Sequence, residues 1–343
     1  MLPTHVAAFF GLEKMILHLQ QTELDLNQKD EMGYTPLLWA ARNGYEAVVK
    51  ILIDGGVALT WEDPYQPSPI ASAARNGYDA VVKLLIQSGA VVDLADENRW
   101  TALSIAARYG HEAAVKVLIR SGAAVNSRDI CGRTALCWAS SCGNETIVKI
   151  LIGNGAAMDS ESDLGWTPLF YAAIRGHKAV VNILIENGAA PDSMDEANRT
   201  PLSYAAERGC TAVVEMLIEN GAASDSMDLA NRTPLLFAAR GGHTVVVEML
   251  LKNGAVPDSI DVQNWTPLLF AARGGHTSIV KMLIENGAVL DLMDKYGKTA
   301  LLLAIANKDA VLVRMLIENG ATVDVLDEDS REALHKLLQC HEE

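Results

Sequence analysis

The sequence returns to one pattern every 33 residues, and this period limits the possible folds more than any other feature. The clearest copy runs from Asp228 to Ile260, with the order Asp-Leu-Ala-Asn-Arg-Thr-Pro-Leu-Leu-Phe-Ala-Ala-Arg-Gly-Gly-His, an apolar stretch and Asn-Gly-Ala. Its hydroxyl position recurs without insertion or deletion at Thr35, Ser68, Thr101, Thr134, Thr167, Thr200, Thr233, Thr266 and Thr299. A fixed period of this size predicts a stacked array of short repeats.

Each repeat contains the signals for two short helices. Thr233 is placed to cap the first helix, and Pro234 fits its first turn, where the missing N–H costs nothing. Gly242 ends this helix, and the apolar pattern predicts a second helix from about Thr244 to Lys252. Asn253-Gly254 ends the second helix, since glycine accepts the left-handed conformation at little steric cost. Such a helix pair cannot cover its own apolar face, so neighbouring repeats must stack on it.

The segment between one helix pair and the next reads as a tight turn in a β-like hairpin. It carries Asn231 where other repeats have glycine, at Gly33, Gly132, Gly165 and Gly297. The second repeat departs most, because Asp63-Pro64-Tyr65-Gln66-Pro67-Ser68-Pro69 replaces the turn. Proline removes N–H donors, so we expect this hairpin to be distorted or open.

Together these residues resemble the ankyrin repeat, whose pattern is Asp-x-x-Gly-x-Thr-Pro-Leu-His-x-Ala-Ala-x-x-Gly-His followed by an apolar helix and Gly-Ala. The resemblance implies an all-α repeat fold, an α-solenoid of helix-turn-helix repeats joined by β-hairpin fingers, elongated and curved. We expect a partial capping repeat over 1–29, nine complete repeats over 30–326 and a partial capping repeat over 327–343. The resemblance extends to long arrays in fungal multidomain, NLR-like proteins, and it implies partners that bind the hairpin tips and the concave face.

Composition narrows the classes of partner and compartment. The chain has 28 basic and 43 acidic residues and a net charge of −15, which argues against nucleic acid because that ligand requires clustered Lys and Arg. No apolar run reaches membrane-spanning length, and the N-terminus lacks the charged start and cleavage pattern of a signal peptide, so we expect an intracellular protein, cytoplasmic or nuclear, that does not bind membranes. We also expect it to be a monomer. The cysteines are odd in number and irregularly spaced, which favours reduced thiols over disulfides. A metal site among Cys131, Cys137 and Cys142 stays possible.

The sequence shows no constellation of catalytic residues, and we predict no cofactor and no enzymatic activity. The histidines of four repeats follow their threonine by the same ten residues: His111, His177, His243 and His276. Recurrence at one position predicts a structural role, namely a hydrogen bond between neighbouring turns. The recurring carboxylates Asp195, Asp228, Asp261 and Asp294 are equally periodic, so they give no support to paired acid–base chemistry.

Three sets of side chains predict a partner-binding surface, which we place on repeats five to eight. An aromatic residue follows the threonine by four positions, and Trp265 lies beside the set: Trp138, Tyr171, Tyr204, Phe237 and Phe270. Arginines come three or four residues later: Arg175, Arg208, Arg240 and Arg273. An apolar ridge precedes the hairpin aspartates: Met194, Met227, Ile260 and Met293. Aromatic and arginine side chains are typical of binding hot spots, and methionine adapts to varied partners.

These sets favour a non-enzymatic scaffold or adaptor that binds an extended or helical peptide with acidic and apolar residues. A purely structural interpretation stays open, in which the aromatics are packing residues and the arginines pair with hairpin aspartates. Two functional alternatives also stay open. One is a regulatory or recruiting subunit of an enzyme or of a secondary-metabolite or defence pathway; the other, more remote, is an enzyme that uses the groove as a pocket.

Overall fold

The structure is a computed structural model that describes residues 2–22, 25–61, 66–323 and 327–339. These residues form 21 helices and no strand, in a repeated helix-turn-helix arrangement. The chain divides into two compact units. Unit 1 comprises Met1–Ala172 with Glu186–Gly188, and unit 2 comprises Ala173–Ile185 with Ala189–Glu343.

Ten helices lie wholly within unit 1 and alternate between the first and second helix of a repeat. They are α1 (Pro3–Phe9), α2 (Glu13–Gln20), α3 (Pro36–Asn43), α4 (Glu46–Asp54), α5 (Pro69–Asn76), α6 (Asp79–Gln87), α7 (Ala102–Tyr109), α8 (Glu112–Arg120), α9 (Ala135–Cys142) and α10 (Glu145–Gly153). The division between the units falls inside the next pair, α11 (Pro168–Arg175) and α12 (Lys178–Glu186).

The described part of unit 2 continues the same alternation and ends on a single longer helix. Its helices are α13 (Pro201–Arg208), α14 (Thr211–Glu219), α15 (Pro234–Gly241), α16 (Thr244–Lys252), α17 (Pro267–Gly274), α18 (Thr277–Glu285), α19 (Ala300–Ala306), α20 (Ala310–Glu318) and α21 (Glu328–Gln339). The first helices α13, α15 and α17 pack in series, and each also packs on the second helix of its own repeat.

The caps explain why the helices begin and end where they do. The Oγ1 atom of Thr233 accepts a hydrogen bond from the backbone N–H of Leu236 at 3.3 Å, and Pro234 opens α15. Gly242 follows α15 with φ of 74°, a left-handed conformation that the absence of a side chain allows. The bounds of α15 and α16 therefore confirm the sequence prediction.

Small residues in the first helix and branched residues in the second form the core. Ala238 and Ala239 are fully buried, which lets the first helices approach closely. In α16, Val246, Val247 and Leu250 are buried, whereas Met249 and Leu251 are half-buried. A repeat thus completes its core only when a neighbouring repeat covers it.

The hairpins are tight turns, and the described residues contain no paired strands. In unit 2 the N–H of Asp228 donates to the carbonyl of Arg232 at 3.1 Å, and Asn231 closes the turn with φ of 57°. Successive hairpins of this unit are joined by single backbone hydrogen bonds, such as Leu229 N–H to Ala197 O at 3.0 Å. One such bond per repeat does not make a regular ladder, so the resemblance overstated the β character of these fingers.

The histidine prediction is confirmed at two positions, one in each unit. His111 Nε2 lies 2.8 Å from the carbonyl oxygen of Arg75, and His243 Nε2 lies 3.0 Å from that of Glu207. Each bond joins one repeat to the preceding repeat. The irregular hairpin of the second repeat is only partly described, because residues 62–65 lie outside the described ranges, and its expected distortion stays a prediction.

Candidate protein-binding surfaces

The hairpins of unit 2 expose the predicted apolar ridge. Met194, Met227, Ile260 and Met293 all have exposed side chains, with Met227 at 51%. Their exposure is confirmed, and their role in binding stays a prediction. The structure adds three exposed apolar side chains on the same hairpins, Leu229 at 68%, Val262 at 62% and Tyr296 at 70%.

The predicted aromatic residues of unit 2 lie deeper than the ridge. Tyr204 is buried, and its hydroxyl donates to Asp195 Oδ2 at 2.7 Å. Phe237 is only 2% exposed. The guanidinium carbon of Arg199 lies 3.7 Å from the ring centroid of Tyr204 and 4.2 Å from that of Phe237. These two rings therefore contribute to the interior and to cation–π contacts.

The remaining members of the aromatic set in unit 2 form a pair. Trp265 is buried and Phe270 is half-buried, with 4.8 Å between their ring centroids. Arg273 lies over the Trp265 ring at 5.3 Å. Of the predicted aromatics in this unit, Phe270 is therefore the one whose ring keeps partial access from outside.

In unit 1, the two predicted aromatics are half-buried. Trp138 donates from Nε1 to Asp129 Oδ2 at 3.3 Å, and the guanidinium carbon of Arg133 lies 4.1 Å from its ring. Tyr171 contacts Trp166 edge to face at 5.4 Å between centroids. Burial raises the pKa of the Tyr171 phenol, and a hydrogen bond with Ser162 opposes part of that rise.

The predicted arginines are all exposed, and they occupy two positions on the helix. Arg240 and Arg273 are the seventh residue after their threonine, whereas Arg175 and Arg208 are the eighth. One residue along an α-helix turns the side chain by about 100°, so the four do not share one face. Within the described residues, Arg175, Arg208 and Arg240 have no hydrogen-bonded or ion-paired carboxylate.

Sequence reasoning missed a second set of arginines, directly before the threonine. Arg133 and Arg232 pair with the buried hairpin carboxylates Asp129 and Asp228, through Nε–Oδ2 distances of 2.9 and 2.8 Å. Arg199, at the same position, pairs with Glu207. From the third to the eighth repeat this position is always arginine or tryptophan, with tryptophan at Trp100, Trp166 and Trp265, and that restriction was the available signal.

The periodic carboxylates hold the hairpins together. Asp228 Oδ1 accepts hydrogen bonds from the N–H groups of Ala230 and Arg232, both at 2.8 Å, and Asp261 and Asp294 bind their own turns in the same way. Among the described residues, no group of three His, Cys, Asp or Glu side chains is arranged to hold a metal ion. Cys137 is buried and Cys131 and Cys142 are exposed, while Cys340 lies outside the described ranges.

Surface depressions are found in both units. Two adjoining ones in unit 1 have volumes of about 520 and 390 Å³ and share the side chain of Arg75. One in unit 2, of about 500 Å³, lies between the second helices α18 and α20 and has both acidic and basic side chains, among them Glu285 and Arg314. No described helix has the length and apolarity needed to cross a membrane.

Comparison with known proteins identifies the family. The profile described as ankyrin repeats (3 copies) matches residues 4–96, 70–162, 147–228, 223–294 and 279–343. The chain therefore belongs to the ankyrin-repeat family, whose repeats are protein–protein interaction modules.

Individual relatives share short segments of this chain. Human ankyrin repeat and SAM domain-containing protein 3 is 36% identical over 64 residues, which is 18% of this chain and 10% of that protein. Human scaffold protein ILK is 51% identical over 43 residues, 12% of this chain and 10% of that protein. The chain thus spans about a tenth of the length of these curated relatives.

A solved structure shares much more of the chain. The crystal structure of the human ASB11 ankyrin repeat domain superposes with a TM-score of 0.60 at 30% sequence identity. The match covers 65% of this chain and 99% of that domain. The helix-turn-helix array described above is therefore the ankyrin solenoid.

Proposed function

We propose that this protein is a non-enzymatic scaffold or adaptor that binds a partner protein through the hairpins of unit 2. The observation that supports this most is the row of exposed apolar side chains on successive hairpins, above all Met194, Met227, Leu229 and Ile260. Folding of the repeat does not require these side chains, because hydrogen bonds of the hairpin aspartates already fix the turns. An exposed apolar row of this kind is typical of a protein-binding surface.

The chemistry of the surface suggests the chemistry of its partner. Methionine side chains are flexible and polarizable, so the ridge suits an apolar segment that varies in shape. Arg240 and Arg273 add exposed positive charge on α15 and α17 of the same unit. We therefore expect a partner segment with both apolar and acidic residues, bound by a single copy of this protein inside the cell.

Site-specific photo-crosslinking tests this proposal. We would place a benzophenone amino acid at Met227 on the ridge and, in a matched variant, at Val245 on the second helix α16. Both positions carry exposed apolar side chains, at 51% and 52%. The expected result is a discrete crosslinked partner from position 227 that position 245 does not give.

A charge-reversal variant then tests the arginines. Arg240→Glu with Arg273→Glu should remove the crosslink at position 227 without changing the melting temperature, because exposed charges contribute little to folding. Identical crosslinks from positions 227 and 245 would contradict a ridge-specific site. If the crosslink persists in the double variant, Arg240 and Arg273 do not contribute to partner binding.

A further inference from the structure

A second group of arginines lies in unit 1, outside the surface that the proposed function uses. Arg42, Arg75 and Arg108 occupy the same position on three successive first helices, α3, α5 and α7, and all three are exposed. Helices α3 and α5 pack together, as do α5 and α7. The three arginines therefore form a row with one guanidinium per repeat.

Aromatic rings hold these guanidinium groups in place. The guanidinium carbon of Arg42 lies 5.7 Å from the ring centroid of Tyr34, and that of Arg75 lies 5.2 Å from the ring of Tyr109. Arg108 lies 5.0 Å from the ring of Trp100 and 4.6 Å from that of Trp138. Stacking on a ring occupies the face of a guanidinium and leaves N–H donors at its edge for a ligand. One donor of Arg42 is already used, since its Nη1 donates to the Tyr34 hydroxyl at 3.2 Å.

Two depressions separate the members of this row. The larger, of about 520 Å³, is lined by Tyr34, Arg42 and Arg75 among others. The smaller, of about 390 Å³, is lined by Arg75, Trp100, Arg108 and Tyr109 among others. Arg75 belongs to both, so a ligand that filled both depressions would pass across it.

The charge of the row favours an anionic ligand. None of the three arginines pairs with a carboxylate among the described residues, although the whole chain carries a net charge of −15. One carboxylate, Asp96, lines the smaller depression, and its Oδ1 accepts hydrogen bonds from the N–H groups of Asn98 and Trp100 at 2.9 and 2.8 Å. Those N–H donors partly offset the Asp96 charge, and three guanidinium groups face this one carboxylate across the two depressions.

The spacing of the row defines the ligand further. Packed helices lie about 8–10 Å apart, so successive arginines are separated by a similar distance. A polyproline II helix has about three residues per turn and a rise of about 3.1 Å, which places every third side chain on one face at intervals of about 9 Å. Grooves lined by aromatic rings are the usual receptors for this conformation.

We propose that the Arg42–Arg75–Arg108 row binds an extended peptide segment with an acidic side chain at every third residue. Each carboxylate contacts one guanidinium, and the intervening residues lie against the rings of Tyr34, Trp100 and Tyr109. This site extends beyond the proposed function of unit 2, since it uses different residues and recognises a repeating charge pattern.

Fluorescence anisotropy with a designed probe tests the proposal on the full chain. The probe is a labelled peptide of four Glu-Pro-Pro triplets, and the control peptide has the same composition with its glutamates consecutive. We expect the triplet probe to bind more tightly than the control peptide. Arg75→Gln should weaken it by about tenfold or more, because the charge-assisted hydrogen bond to the middle carboxylate is lost.

The matched protein control is Arg120→Gln, which removes an exposed arginine from the second helix α8 of the same unit, outside both proposed sites, and should leave the affinity unchanged. Failure of the wild-type protein to bind the triplet probe would overturn the proposal. Equal affinity for the two peptides, or an equal loss in the two variants, would also overturn it by revealing general charge attraction. Arg75→Gln should not affect the crosslink at position 227, so the two proposals can fail separately.

Discussion

The two compact units have the same repeat frame and different surfaces. In unit 1 the hairpin position before the aspartate carries charged Arg128, and arginines lie over partly exposed aromatic rings such as Tyr109. In unit 2 the same hairpin position carries exposed Met227, and the aromatic ring of Phe237 is buried beneath arginines.

The difference shows that one framework supports two kinds of recognition chemistry. The residues shared by both units are those that close turns and helices: the capping threonines, the left-handed glycines and the hairpin aspartates. The hairpin side chains that differ, such as Arg128 and Met227, are exposed. We therefore expect equivalent mutations of these shared residues to change stability by the same amount in both units. Surface substitutions should affect only the unit that carries them.

The largest expected effect comes from adding a side chain at two equivalent glycines, one in each unit. A Cβ atom at Gly77 in unit 1 would lie 2.5 Å from His111 Nδ1, and one at Gly209 in unit 2 would lie 2.5 Å from His243 Nδ1. Both histidine rings are fixed by hydrogen bonds to the preceding repeat. Gly77→Ala and Gly209→Ala should each lower the free energy of unfolding by about 3 kcal/mol in urea titrations.

The control for this pair is Gly254→Ala. Gly254 also has a positive φ, of 85°, but nothing lies within 4 Å of the site of its Cβ atom. Its substitution should cost only the backbone strain, about 1 kcal/mol. Equal losses at Gly254 and Gly77 would show that contact with the histidine ring does not matter, and unequal losses at Gly77 and Gly209 would show that the frame differs between the units.

A smaller effect of opposite sign is expected at the hairpin turn. Arg99 in unit 1 has φ of 58°, where Asn231 in unit 2 has φ of 57°. Asparagine tolerates this left-handed conformation better than arginine. Arg99→Asn should therefore raise the free energy of unfolding by about 1 kcal/mol, and Asn231→Arg should lower it by a similar amount. Chemical denaturation of both variants measures this, and changes of the same sign would contradict the turn argument.

The smallest effect at neutral pH concerns a buried thiol. Cys137 in unit 1 takes the place of Ser203 in unit 2, and both are buried beside a capping threonine. Burial raises the pKa of the Cys137 thiol above its ordinary value of 9.0. The unfolded chain therefore loses this proton first, so the thiol should lower the free energy of unfolding as the pH rises through about 9.

Cys137→Ser provides the matched variant, since serine at this position does not titrate in that range and occurs naturally in unit 2. Unfolding titrations of both proteins between neutral and alkaline pH should show a steeper loss of stability for the wild type. The burial argument is wrong if the two proteins lose stability in parallel. Cys210, whose thiol pKa burial also raises, is present in both and cancels in the difference.

The sequence was sufficient for the local frame because each signal acts over a few residues. Thr233, Pro234 and Gly242 fix the ends of α15 through contacts within one repeat. The role of His243 was also predictable, because its periodic recurrence implied a bond to the neighbouring repeat. Strand content was overestimated because the family resemblance predicts the path of the hairpin backbone but not how many hydrogen bonds join successive hairpins.

The surface was harder to predict because burial depends on side chains from other elements. The aromatic set looked like one open stripe, yet Phe237 is covered by Arg199 from the preceding hairpin and by Arg232 from its own. No motif within a single helix shows this. The arginines of unit 1 were visible in the sequence, but the depressions between them depend on the packing of α3, α5 and α7.

The single bonds between successive hairpins have a mechanical consequence. In unit 2, Leu229, Val262 and Lys295 each donate one backbone N–H to the preceding hairpin, at 3.0, 3.0 and 3.1 Å. A pulling force that separates the hairpins can break these bonds one after another. Each repeat packs only against its neighbours, so the repeats can separate one at a time. We therefore expect unit 2 to lengthen under tension in small, similar steps and to shorten again as the force is released, in the manner of a spring.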